Sequence, residues 1–210
     1  MSRAQRSDGN VTKAKILDTA GNLIAQHGFA HTPNKLIAQT AQVDLAAINY
    51  HFSGREGLYK AVLKEAHTHY LDEKDLAELA EKTLCAEDKL TQFFELIVYK
   101  ITQEDVWHAK VFVHEMFSPS AYFLQFMAEE GGKKFHLIKK IMSQVSGFSE
   151  DDPQLFTSLL NIIAPCLMLI LIRSNQRSPL YPVSDMHPQA LVEHLKTFTM
   201  GGLNALALSK

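Results

Sequence analysis

Apolar side chains recur at helical spacing along almost the whole chain, and nowhere do they alternate with polar ones over a useful length. That pattern restricts the chain to an all-α fold. The first predicted helix runs from about Val11 to His27, with Ile16, Leu17, Ala20, Leu23, Ile24 and His27 on one face. Gly28 supplies its stop and Phe29 folds back on the stripe. Thr32 as N-cap and Pro33 at the first helical position open a second helix carrying Leu36, Ile37 and Ala41 inward. After a turn at Gln42-Val43, Asp44 caps a third, from Leu45 to His51.

Ser53-Gly54-Arg55-Glu56 has the form of a capping box, predicting a fourth helix that runs on to about Glu81. Further helices are expected near 87–102, 105–117, 120–146, 152–174 and 187–208. Gly131-Gly132 marks a kink, and Pro179, Pro182 and Pro188 a loop. The chain has 210 residues, 46% of them hydrophobic, enough for a substantial core. Its two cysteines, Cys85 and Cys166, lie far apart in apolar surroundings, which suits reduced thiols in a cytoplasmic protein. The stretch from Leu155 to Ile172 approaches membrane-spanning length, but Thr157, Ser158, Asn161 and Pro165 interrupt it, so a buried or interface helix is expected and no membrane.

Charge is unevenly spread. Through Ala66 eight Lys/Arg face five Asp/Glu, a surplus of +3, whereas the remaining 13 and 18 leave −5. A basic head on an acidic body suits a chain whose head alone meets a polyanion. Three short helices, the last two joined tightly, have helix-turn-helix geometry, in which the final helix enters the major groove. That final helix is poorly built for a core. Only Ile48 and Phe52 look buried, Ala46 and Ala47 are small, and Asn49, Tyr50 and His51 carry hydrogen-bonding tips.

The run Thr32 to Ala38, then Ala41-Gln42-Val43, Ile48-Asn49-Tyr50-His51-Phe52 and Arg55-Glu56 with Leu58-Tyr59, resembles the head of the tetracycline-repressor (TetR) family. His114-Glu115, Ser118-Pro119 and Asp152-Pro153 are similar to its CecR-like subgroup. The resemblance implies a DNA-binding domain over 1–54 and an effector-binding and dimerisation domain over 55–210. It also implies that Asn34 and Lys35 touch backbone or a base, that Leu45, Ala46, Ala47 and Asn49 face the groove, and that Tyr50 and His51 hold phosphates. Arg55 would clamp a phosphate at a helix N-terminus, where anions are favoured. The chain departs from the family at Leu36, Asn49 and Gln42; the last stands where the family has glycine, at a cost of ~1 kcal/mol if the turn is left-handed.

Two heads on one symmetric body would read half-sites about 34 Å apart, which implies a homodimer on a near-palindromic double-stranded operator. Leu155, Leu159, Ile162, Ile163, Leu167, Ile170 and Leu171, with Leu191, Leu195, Phe198, Leu203 and Leu206, offer the last two helices as the dimer surface. Trp107, Phe112, Met116, Tyr122, Phe126 and Met168 are candidates to line an apolar pocket for a small-molecule effector. No cofactor, catalytic group or metal site is expected. His114-Glu115 begins like a zinc-protease helix, yet Ser118 stands where the second histidine belongs. The alternative is a helical protein-interaction module that has lost DNA binding.

Overall fold

A computed structural model describes residues 3–102 and 107–208, and all regular structure among them is helical. The chain divides into two compact units, one of residues 1–67 with 105–126 and one of 68–104 with 127–210. The expected functional boundary after residue 54 falls inside the first unit.

In the first unit, α1 (Arg3–His27) starts well before Val11 and stops where Gly28 takes φ +77°. Its Ile16, Ala20 and Ile24 are buried, as are Ile37, Ala38 and Ala41 of α2 (Asn34–Ala41). Thr32 does not cap α2, because Pro33 takes that position. The Thr32 hydroxyl turns back and donates to the Gly28 carbonyl at 2.8 Å, closing the preceding helix. α3 (Leu45–Phe52) is followed by α4 (Arg55–Tyr70), which buries Leu58, Tyr59, Val62, Leu63 and Ala66. The capping box is not built, since Ser53 adopts φ 59° as the end of α3. α7 (Trp107–Phe117) packs on α1, and α8 (Ala121–Phe126) completes the unit. The expected start of α7 at Asp105 lies outside the described residues.

The fourth helix does not reach Glu81. It stops at Tyr70, and the Asp72 carboxylate accepts from the Lys74 amide at 2.7 Å to cap α5 (Glu73–Glu81) in the second unit. There α5 packs on α9 (Gly132–Ser146), while α6 (Ala86–Thr102) packs on α9, α10 (Pro153–Ser174) and α11 (Pro188–Leu208). A π-helical turn, Met127–Gly131, precedes α9 and ends at the expected glycine kink. Phe93, Phe94, Leu90, Ile141, Met142 and Leu155 are fully buried there. α10 is long and apolar enough to cross a membrane, and 44% of its most apolar window is buried within the fold.

Two faces of α10 are apolar, which corrects the expected dimer surface. Leu155, Leu159, Ile162 and Ile170 belong to the core, as do Leu191 and Leu203 of α11. Phe156, Leu160 and Met168 of α10 and Phe198 and Leu208 of α11 are the exposed large apolar ones.

Candidate nucleic-acid interface

α2 and α3 meet through a left-handed turn. Gln42 takes φ 54°, its amide reaches Gln39 O at 3.1 Å, and the Val43 amide reaches Ala38 O at 3.0 Å. These two bonds form a Schellman closure, which needs positive φ at the residue where the family carries glycine. Asp44 then caps α3, its carboxylate accepting from the Ala46 amide at 2.7 Å. This turn and cap were both legible in the sequence.

α3 buries only one side. Ile48 and Phe52 are inside, whereas Tyr50 is 76% and Leu45 47% exposed. Ala46 and Asn49 are exposed as well, and Ala47 and His51 half-buried. The Tyr50 and His51 rings lie edge to face at 4.9 Å. On α2, Lys35 is exposed and Asn34 half-buried, with an Oδ1 that is shielded from solvent and has no hydrogen-bond partner. Lys13 of α1 is exposed, with its ammonium 5.7 Å from the Phe52 ring centroid, at the end of α3. Its position follows from α1 lying beside α3, which spacing along one helix does not reveal.

Arg55 is exposed but already engaged. Its Nη2 donates to the carbonyls of Phe29 at 2.6 Å and Ala30 at 3.3 Å, and the guanidinium lies 4.5 Å from the Phe29 ring centroid. It ties the turn after α1 to the start of α4, a role absent from the sequence reading.

The residues proposed to meet an effector do not share one environment. Trp107 is buried, donates through Nε1 to Asp18 at 2.9 Å, and fills the space over Gly21, where a Cβ would come within 2.4 Å of its ring. Phe112 and Phe126 both touch the His67 ring. Tyr122 stands edge-on to Phe29 and Tyr59, and its hydroxyl bonds Glu56, which together with some burial raises the phenol pKa. Met116 and, in the second unit, Met168 are exposed. A cleft of about 590 Å³ lies elsewhere, between α5 and α6, with Leu79, Leu96 and Tyr99 among its lining and Lys82, Glu95 and Lys100 at charged positions. No group of three or more His, Cys, Asp or Glu suited to a metal occurs among the described residues.

Residues 16–62 match the family model of bacterial regulatory proteins of the tetR family, and residues 86–203 match that of the C-terminal domain of the HTH-type transcriptional dual regulator CecR. The chain is 28% identical over 136 residues to the probable HTH-type transcriptional regulator YttP of Bacillus subtilis (strain 168), covering 59% of this chain and 66% of that protein. The fold is similar to that of a transcriptional regulator from Pseudomonas aeruginosa PAO1, with a TM-score of 0.70 at 16% identity over 97% of this chain and 93% of that one. It is also similar to NalD of Pseudomonas aeruginosa, the secondary repressor of the MexAB-OprM multidrug efflux pump, with a TM-score of 0.62 at 18% identity over 93% and 96% of the two chains. The helix-turn-helix head and a CecR-type region spanning more than half of the sequence place this chain in the TetR family of DNA-binding transcriptional regulators, a family of regulators and not of enzymes.

Proposed function

We propose that the chain is a cytoplasmic, homodimeric repressor that binds a near-palindromic operator and is released by a small apolar or amphipathic effector. One observation carries the DNA reading. α3 spends only Ile48 and Phe52 on the core and turns Leu45, Ala46, Asn49 and Tyr50 to solvent. A helix with so small a buried stripe is held by its neighbours to present the other side. Small Ala46 and Ala47 let the backbone approach a groove, Asn49 has the amide suited to an adenine edge, and Tyr50, His51, Asn34, Lys35 and Arg55 supply donors for phosphates.

Dimerisation is supported by the second apolar face of α10 and α11, where Phe156, Leu160, Met168 and Phe198 stand in solvent in the single chain. A face of that kind marks an interaction surface, and symmetric pairing through it would join two heads. Family membership and the described role of NalD as a repressor support the repressor reading, and family membership alone supports the effector.

In-vitro selection of duplexes bound by the purified protein tests the reading. Enriched sequences should contain two inverted half-sites centred about one helical turn, or a small multiple of it, apart. Asn49→Ala should then change the base preference within each half-site while leaving their spacing alone. Enrichment of a single unpaired site, or of nothing, would overturn the proposal.

A further inference from the structure

The polar centre of the first unit lies away from the face of α3. Glu115 of α7 is only 2% exposed. Its Oε1 accepts from the Tyr59 hydroxyl, and its Oε2 accepts from both the amide and the hydroxyl of Ser120, each at 2.8 Å. Ser120 Oγ in turn accepts from the Phe123 amide at 3.1 Å, so the same carboxylate fixes the start of α8. A glutamate sealed inside a fold is costly, and a leucine or methionine would fill the space at less expense. What the carboxylate adds is direction: it admits one placement of Tyr59.

Tyr59 passes that placement on. Its ring stacks on Phe29 with centroids 3.9 Å apart and planes 11° from parallel. Phe29 lies in the segment leading from α1 to α2, and its carbonyl and that of Ala30 accept from Arg55. The Phe29 turn is thus held by both the Tyr59 ring and the Arg55 fork, and it leads into the start of α2. Burial and the neighbouring Glu115 push the Tyr59 phenol pKa upward, so it remains a donor throughout the physiological range.

We propose that Glu115 and Tyr59 are positioning residues for DNA reading: the Glu115–Tyr59 bond fixes the Phe29 turn and, through it, the angle at which α2 and α3 meet the duplex. The inference rests on the DNA-reading assignment of α3 made above. It assigns a function to Glu115 that neither catalysis nor metal binding explains.

The test compares Tyr59→Phe with the wild type on the selected operator and on an unrelated duplex of equal length, well below the melting temperature. The phenyl ring can still stack on Phe29, so only the hydroxyl's hold is lost. Loss of one bond to a buried carboxylate should weaken operator binding by about tenfold. Binding to the unrelated duplex, and its salt dependence, should stay unchanged, because the phosphate contacts remain. Hydrogen exchange at the amides of residues 29–34 should quicken in the variant. A merely structural bond would lower the melting temperature and leave both affinities alone; that result, or an equal loss on both duplexes, overturns the proposal. If Tyr59→Phe fails to fold, Glu115→Gln is judged by the same two affinities. If the wild type binds no duplex, the DNA reading itself has failed and the positioning role falls with it. If the wild type binds and the variants match it, only the positioning role is lost.

Discussion

Leu160→Asp tests the proposed dimer at the most exposed large apolar side chain of α10. Leu160 is 68% exposed in the single chain, so its substitution removes little from the core. Complete burial of a leucine side chain is worth roughly 1.5–3 kcal/mol. Scaling by that exposure leaves about 1–2 kcal/mol per copy to be gained on pairing, and about 2–4 kcal/mol for the two copies of a symmetric interface. At 1.4 kcal/mol per decade, the dimer dissociation constant should rise by roughly 30- to 1,000-fold. That is a floor, because two carboxylates must also leave water. Sedimentation equilibrium across nanomolar to micromolar concentrations measures the shift, and far-ultraviolet circular dichroism checks that the helices persist. Operator affinity should fall in parallel, since one head alone holds a site weakly. A variant that sediments as the wild type does, at every concentration, refutes the assignment of this face to dimerisation.

Further outcomes are expected for two glycines and the two cysteines. Gly57→Ala should destabilise severely, by about 3 kcal/mol or more, since a Cβ there would lie 1.7 Å from the Phe52 carbonyl oxygen, a backbone atom that cannot rotate away. Gly202→Ala, in open space on α11, should be neutral or slightly stabilising, so matching thermal melts of the two variants would refute this account of the α3–α4 elbow. Burial pushes the Cys166 thiol pKa up from 9.0 to about 12. Through that interval the unfolded chain releases a proton that the native one keeps, so stability should fall as pH rises from 9 towards 12, with none of this loss below 9. Denaturant titrations of wild type and Cys166→Ala at pH 8 and pH 10.5 measure it; an equal alkaline loss in both variants would clear the thiol. At neutral pH iodoacetamide should label exposed Cys85 and spare Cys166 until the chain is unfolded.

Local chemistry was the most legible part of the sequence. Gly28 and Asp44 each answer to one backbone conformation or one cap, and each does in the fold what its residue type suggests, whereas Gln42 takes the left-handed turn despite its residue type. Thr32 and Ser53 were misread because small hydroxyl residues serve either side of a helix boundary: Thr32 closes α1, and Ser53 ends α3 in the left-handed region. The break between α4 and α5 was hidden because buried Leu76 falls in helical phase with buried Leu58 and Val62 of α4. Asp72 was the available signal, two residues ahead of the amide that it caps. On α10 the sequence showed more apolar positions than one face needs, yet periodicity cannot say which face is core. Trp107 read as a pocket wall from bulk alone. Its actual place depends on Gly21 leaving room and Asp18 accepting its N–H, and both lie far away in the sequence. The Glu115 clasp was similarly out of reach, since it is made across elements.

The strain in the backbone falls where the reading helix is set. Among the described residues, Gln42 and Ser53 are the non-glycine positions with positive φ, and they stand directly on either side of the segment 43–52. Each left-handed side chain costs about 1 kcal/mol. Gly28 and Gly54 adopt positive φ in the same head without that penalty. An eight-residue helix with only Ile48 and Phe52 inside has too small a buried stripe to fix its own rotation. Its direction must therefore be imposed from its ends, by the Schellman closure at Gln42, the Asp44 cap and the Ser53-Gly54 elbow that leads into α4. The strain is tolerable because those closures satisfy the backbone groups around it and because α1, α2 and α4 supply the burial that α3 lacks. A helix held in this way can leave Leu45, Ala46, Asn49 and Tyr50 unburied, which is the freedom a DNA-reading surface requires.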